Sequence, residues 1–205
     1  MNMLDYEKEK ELIEKGYKLI CGVDEAGRGP LCGPVFAAAC ILPDGLVLEG
    51  LNDSKKLTPK KRDKLFDLIC ENAIAYCIAS ASVEEIDELN ILEADLLAMR
   101  RAIDGLSVKA DFALIDGNIA RGFQIPARAV IGGDAKSPSI AAASILAKVA
   151  RDRDCIELDA QYPQYGIAKH KGYGTKQHME ALRTYGPSPI HRKQFIRFLD
   201  KDANN

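Results

Sequence analysis

The chain has 205 residues, 47% of them hydrophobic and 28% charged, with a formal net charge of −2. That length supports one domain with a sizeable core, and the near-neutral balance excludes a globally basic binder, so a polyanion would have to be held by local patches. Six cysteines without CxxC spacing, no signal peptide and no apolar run of membrane length point to a reduced, cytoplasmic protein.

In chain order, residues 18–24 and 34–42 read as strands separated by a Gly-Pro-rich bend. Thr58 caps a helix with Pro59 at its first position, and Leu65, Phe66, Leu68 and Ile69 form its apolar face. Residues 75–81 return as a strand. Ser82 and Glu85 have the spacing of a capping box, and Asn90 with Glu93 opens a further helix that Gly105 ends. The apolar runs 112–115 and 129–131 follow, and Ser137-Pro138 starts a long helix toward Leu158. From about Thr175 two helical stretches are expected, broken at Gly186-Pro187. Neighbouring strands first, then strands alternating with helices, predict a mixed sheet covered by helices.

Three apolar strands end in acids: Asp24-Glu25, Asp116, and Asp134 after Gly132-Gly133. A single Asp in that place is ordinarily a turn or cap residue. Three such ends on one sheet edge would converge four carboxylates, and their repulsion would demand a cation. Oxygen ligands without Cys or His select Mg²⁺ or Mn²⁺ over zinc, and two such ions are the usual equipment for in-line attack of water on a phosphodiester. His170, His178 and His191 lack ligand spacing, which argues against a structural zinc site.

Gly27-Arg28-Gly29-Pro30 follows the first acid pair. A dinucleotide fingerprint fails here, because Cys32 stands at the third glycine position and a strand-like run follows instead of a helix. The glycines would let backbone approach a sugar-phosphate closely, and Arg28 could meet a phosphate.

The blocks GVDEAGRGPLCGPV, NDSKKLT, LIDGN, GGDAKS with AAASILAKVARDR, and YPQYGIAKHKGYGTKQH occur in order from about residue 18 to the HRKQF segment. Together they resemble bacterial ribonuclease HII. The resemblance implies a ribonuclease H-like α/β fold with a mixed five-stranded sheet flanked by helices. It implies a catalytic domain over 1–174 and a small helical C-terminal extension over 175–205 packed on that domain. It assigns catalysis and the binding of two divalent cations, Mg²⁺ or Mn²⁺, to Asp24, Glu25, Asp116 and Asp134. Asp152 and Asp154 compete for the fourth acidic role, but both follow Lys148 and Arg151 on a helix and read as partners of neighbouring bases.

By the same resemblance, Gly27, Arg28 and Gly29 read the ribonucleotide's 2′-hydroxyl, and Tyr173 stacks on the following deoxyribose. The implied activity is hydrolysis of RNA in RNA–DNA hybrids and cleavage 5′ to single ribonucleotides in duplex DNA, leaving 5′-phosphate and 3′-hydroxyl ends. Without the resemblance, Tyr173 is a loop aromatic flanked by glycines, as often packing as contact.

The run Lys55, Lys56, Lys60, Lys61, Arg62 and Lys64 is by default a solvated helix face. Asn52, Ser54 and Lys55 match a family segment and are singled out as backbone-phosphate contacts, with Ser144, Lys148 and Arg153 as weaker candidates. The 191–195 segment matches the family too and is expected at the duplex, adding affinity and salt dependence rather than sequence readout. No binding motif for a sliding clamp is recognisable, and a monomer suits a duplex-binding enzyme. The related ribonuclease HIII, which prefers longer hybrids, usually carries an additional N-terminal domain, whereas only about 17 residues precede the first strand here. A non-catalytic nucleic-acid binder on the same fold would not need all four acids.

Overall fold

The bend at 27–34 turns the chain back on itself, so β1 (Ile20–Ala26) and β2 (Val35–Ile41) pair antiparallel with Val23 opposite Ala39. The structure is a computed structural model, and it describes residues 4, 6–51, 54 and 57–199. β3 (Ala75–Ala81) continues antiparallel outside β2. β4 (Phe112–Asp116) runs parallel to β1, and β5 (Ala127–Val130) runs parallel to β4. The order β3-β2-β1-β4-β5 is the expected mixed five-stranded sheet. Asn52 and Lys55, two of the expected phosphate contacts, lie outside the described residues.

Helix α1 (Glu7–Glu14) was not foreseen, because EKEKELIE carries almost no apolar stripe. It is held by buried Leu12 and, unusually, by buried Glu9, whose Oε1 accepts from Ser137 Oγ at 2.5 Å and from the Ser139 amide at 3.3 Å. A carboxylate there meets the positive end of the long helix that starts at Pro138.

Helix α2 (Pro59–Asn72) begins as predicted, with Thr58 Oγ1 accepting from the Lys61 amide. Ahead of α3 (Val83–Leu89), Ser82 and Glu85 complete both halves of the capping box. Asn90 caps α4 (Ile91–Asp104), and Gly105 ends it.

Helix α5 (Pro138–Gln161) is buried nearly all round over Ile140–Ala147, which suits a helix laid between the sheet and α2. The alternation of side chains along β1 divides the core. Cys21 and Val23 face α4 in one apolar cluster, while Ala26 joins Ala38, Cys40 and the alanines of α5 in another. Gly22 lies on the α5 side, where a Cβ would come within 2.1 Å of the Ser139 carbonyl carbon. Glycine there permits helix and strand backbones to touch.

The short helix α6 (Ile167–His170) and α7 (Lys176–Tyr185) follow. Beyond Gly186-Pro187 the second tail helix is largely replaced by turns, with helical residues only at 198–199 among those described. The reason is a competing contact: His191 forms an antiparallel bridge with Cys32, and the Arg192 amide donates to Leu31 O at 2.9 Å. Ala181, Leu182 and Ile196 pack with Cys32, Cys155 and Tyr165 in a cluster of their own.

Candidate active site

Parallel pairing of β1 with β4 sets Val23 beside Ile115, so the next residues, Asp24 two positions before the end of β1 and Asp116 at the end of β4, stand on the same sheet edge where that pairing stops. Carboxylate oxygens of Asp24, Glu25 and Asp116 all lie within 4.8 Å of one another. By the strand alternation, Asp24 and Asp116 stand on the α5 face and Glu25 on the α4 face, and they meet around the strand end. Asp134 sits next door in a single 3₁₀ turn at Gly133–Ala135 and is buried, but it is not part of that closest group. Its turn is tied to the site by the Gly133 amide, which donates to Asp116 Oδ1 at 2.6 Å.

Asp24 is almost fully buried. Burial first, then the charges of Glu25 and Asp116, push its carboxyl well above the ordinary range, while hydrogen bonds from Ser144 and from the Glu25 amide, the latter at 2.7 Å, partly oppose that. Ser144 is in turn within 2.9 Å of Ser54 Oγ, and both serines are buried. The two candidate contacts thus lie behind the carboxylate and orient it.

The loop after Glu25 is shaped from below by two buried arginines. Gly27 has φ +101, and a Cβ on it would lie 2.1 Å from Arg151 Nε. Both conformation and space therefore require glycine. Arg28 leans on α4: its Nε lies 3.5 Å from Asp95 Oδ2 and its Nη1 3.9 Å from Glu25 Oε1. Asp95 was missed by the sequence reading, since an acid in an amphipathic helix carries no distinguishing signal. Its burial and the charge of Glu25 push it up to about 8, with Arg28 opposing.

Tyr173 is about half exposed, and its ring edge is 3.5 Å from where a Cβ on Gly29 would stand. The Gly172 carbonyl accepts from the Leu31 amide at 2.8 Å, so the 170–174 segment is laid against the glycine loop. The structure therefore brings Asp24, Glu25, Asp116, Gly27, Arg28, Gly29 and Tyr173 into one neighbourhood, with Ser54 and Ser144 beneath it.

Lys148 donates to Asp152 Oδ1 at 2.5 Å, and Arg62 lies 3.5 Å from Asp152 Oδ2, which makes Asp152 a partner of bases as read from the sequence. Arg153 turns toward α2, stacked over Phe66 with 4.5 Å from guanidinium carbon to ring centre. Within the 191–195 segment, His191 and Arg192 are buried, so neither side chain faces a duplex in this structure.

Cys32, His178 and His191 also gather within 4.8 Å. Their hydrogen bonds give this cluster another role. The Tyr173 carbonyl can only accept, so the His178 Nδ1–H donates to it at 3.1 Å. His178 Nε2 then accepts from the His191 Nε2–H at 3.1 Å, and His191 Nδ1 accepts from the Ser188 amide at 3.1 Å. Every ring nitrogen is used. Burial lowers His178 and brings His191 down to about 4, so both rings are neutral, and burial pushes the Cys32 thiol up to about 12. The neighbouring guanidiniums of Arg151 and Arg192 add positive charge that opposes a further cation.

The carboxylate set has the opposite character. It is all oxygen, mutually repulsive and joined to the sheet edge, as hard divalent cations require.

The family model described as Ribonuclease HII matches residues 21–198. A ribonuclease HII of Desulfitobacterium hafniense is 59% identical over 188 residues, covering 92% of this chain and 72% of the relative. One of Caldicellulosiruptor bescii is 53% identical over 192 residues, covering 94% and 93%. The crystal structure of the ribonuclease H2 from Pyrococcus horikoshii aligns with a TM-score of 0.74 at 28% identity, covering 92% of this chain and all of that one. With its acids on the edge of a sheet of that topology, the chain belongs to the ribonuclease HII family and is an endoribonuclease of the ribonuclease H type.

Proposed function

We propose that this enzyme cleaves RNA–DNA hybrids and duplex DNA containing single ribonucleotides, cutting 5′ to the ribonucleotide at a 5′-RNA–DNA-3′ junction. One observation carries the reading: the carboxylate oxygens of Asp24, Glu25 and Asp116 lie within 4.8 Å of one another, and the glycine loop that follows Glu25 lies against Tyr173. Asp24, Glu25, Asp116 and Asp134 are the residues that would hold two divalent cations, Mg²⁺ or Mn²⁺. Such ions supply neutralisation of the carboxylates, activation of the attacking water and stabilisation of the leaving 3′-oxygen.

The chain's own residues do the rest. Ser144 and the Glu25 amide orient Asp24. Gly27 and Gly29 bring backbone against the ribose, where a 2′-hydroxyl distinguishes RNA from DNA. Arg28, braced by Asp95, meets a phosphate, and partly exposed Lys148 supplies another such contact. Tyr173 stacks on the next sugar, where a second 2′-hydroxyl would obstruct it. Hydrolysis leaves a 5′-phosphate and a 3′-hydroxyl. We read residues 175–205 as an extension of the catalytic domain; among the described ones, Ala181, Leu182 and Ile196 share an apolar cluster with Cys32, Cys155 and Tyr165. We place the protein in the cytoplasm as a monomer. All six cysteines are free thiols, and among the described residues no helix is long and apolar enough to cross a membrane.

The test is a labelled DNA duplex with one ribonucleotide, incubated with Mg²⁺, Mn²⁺ or EDTA beside an all-RNA hybrid and pure DNA. Metal-dependent cutting 5′ to the lone ribonucleotide, with pure DNA untouched, is expected. Cutting of the all-RNA hybrid alone would remove the junction reading, and no cutting by the folded protein would favour a binding role.

A further inference from the structure

Arg192 is fully buried, and among the described residues it makes no ion pair. Its charge is instead solvated by backbone. Nε donates to Gly33 O at 2.9 Å, Nη1 to Arg28 O at 3.0 Å and Pro30 O at 2.9 Å, and Nη2 to Gly27 O at 2.7 Å and Pro34 O at 3.2 Å. All five guanidinium N–H groups are satisfied, and every acceptor lies in the single turn 27–34. Within this turn Leu31 and Cys32 pack into the apolar cluster beside the tail, while the glycines and prolines around them contribute little packing, so this fork is the template for their backbone. The adjacent His191 reaches the other way, through His178, to the carbonyl of Tyr173.

We infer that the His191–Arg192 pair is a positioning element that holds the Gly27–Gly29 loop and Tyr173 at a fixed separation, so that junction preference depends on two tail residues that touch no substrate. The inference rests on the proposed reading of the loop and Tyr173 as the two halves of junction recognition. A ribose reader and a deoxyribose reader discriminate a junction only if their spacing matches one nucleotide step. A displacement of about 1 Å costs roughly 100-fold in well-oriented sites. Two neighbouring residues between turns, one bonded toward each reader, fix that spacing through the bridge of His191 with Cys32 and the bond of the Arg192 amide to Leu31 O. Lysine cannot replace the arginine, because one ammonium cannot span acceptors set around a planar fork.

The experiment compares wild type with Arg192→Lys and His191→Gln by two readouts. The first is hydrogen exchange at the Leu31 and Gly33 amides, and at Thr175, whose amide donates to Tyr173 O. The second is the ratio of kcat/KM on a single-ribonucleotide duplex to kcat/KM on an all-RNA hybrid. Arg192→Lys is expected to speed exchange at Leu31 and Gly33 and to lower the ratio about tenfold or more. His191→Gln is expected to speed exchange at Thr175 and lower the ratio in the same direction.

Unchanged exchange in the loop of Arg192→Lys overturns the positioning role. So does an equal proportional loss on both substrates, which is the mark of a merely structural residue. Should Arg192→Lys not fold, His191→Gln decides by the same two criteria at Thr175 and in the ratio. A wild type that cuts neither substrate overturns the junction reading, while the exchange data still decide whether Arg192 holds the loop.

Discussion

Gly22 and Ser139 meet backbone to backbone, so close that a methyl group on Gly22 would sit 2.1 Å from the Ser139 carbonyl carbon. This contact seats α5 on β1 two residues before Asp24, and five residues further along α5 stands Ser144, the hydroxyl that bonds Asp24. Gly22→Ala should therefore disturb fold and site together. The obstacle is backbone, not a flexible side chain, so the cost should be about 3 kcal/mol or more. Thermal denaturation should show a fall of roughly 6–12 °C for a chain of this length. A change within error would mean that helix and strand separate freely.

Asp24→Asn removes one of three mutually repelling carboxylates from a buried position. Without added metal it should raise Tm by roughly 2–8 °C, equivalent to about 1–2 kcal/mol. It should also abolish cleavage and the stabilisation that Mg²⁺ or Mn²⁺ gives the wild type. Retained turnover, or an undiminished metal-induced shift, would remove Asp24 from the cation site.

Acid should act through the buried histidines. His178 and His191 are lowered from the ordinary 6.5, His191 to about 4, so below 6.5 the unfolded chain binds protons that the folded one refuses. Their stabilising contribution is complete above pH 6.5 and is lost as pH falls toward about 4. The advantage in Tm of wild type over His191→Gln should therefore shrink across that window. A constant difference would show that His191 is not held neutral.

Asp95 has the opposite sign. Raised from 3.8 to about 8, it burdens the fold increasingly as pH climbs between those values. Asp95→Asn should match wild type in Tm near pH 4 and exceed it progressively toward pH 8. It should also weaken binding of RNA–DNA substrate modestly, because Arg28 loses its brace. A variant less stable than wild type at pH 8 would mean that the ion pair outweighs the burial of the carboxylate.

Tyr173→Ala should lower the rate on a single-ribonucleotide duplex more than on an all-RNA hybrid, since only the former presents a deoxyribose next to the cut. Equal losses on both substrates, measured as kcat/KM, would confine the ring to packing.

Much of this architecture is legible in local chemistry. The strand at 75–81 stands where the sequence reading places it, and the Ser82–Glu85 box and the Thr58-Pro59 start are present atom for atom. Short-range rules suffice there because the partners lie within a few residues. The acids at strand ends were visible for a similar reason, and their grouping needed only the parallel register of β1 and β4. What escaped depends on distant partners. Glu9 looks like one more charge on a polar helix, yet it is buried against Ser137, 128 residues away. Arg192 reads as a surface base in a polar tail, and its five acceptors are carbonyls, which leave no side-chain signature. The tail helix expected after Gly186 gives way because pairing with Cys32 and Leu31 satisfies the same backbone groups.

The reach of Arg192 also orders the birth of the enzyme. The carbonyls it grasps were made 158 to 165 residues earlier. At roughly 5–20 residues per second on a ribosome, that is a delay of about 8–30 s. The acid-bearing strands β1 and β4 are both made once Asp116 is in place, so only for the last part of that time, roughly 4–15 s, can they pair while the turn still lacks its arginine. On the proposed reading, the acids can gather before the turn that would face the ribose takes its final shape, because that shape waits for Arg192.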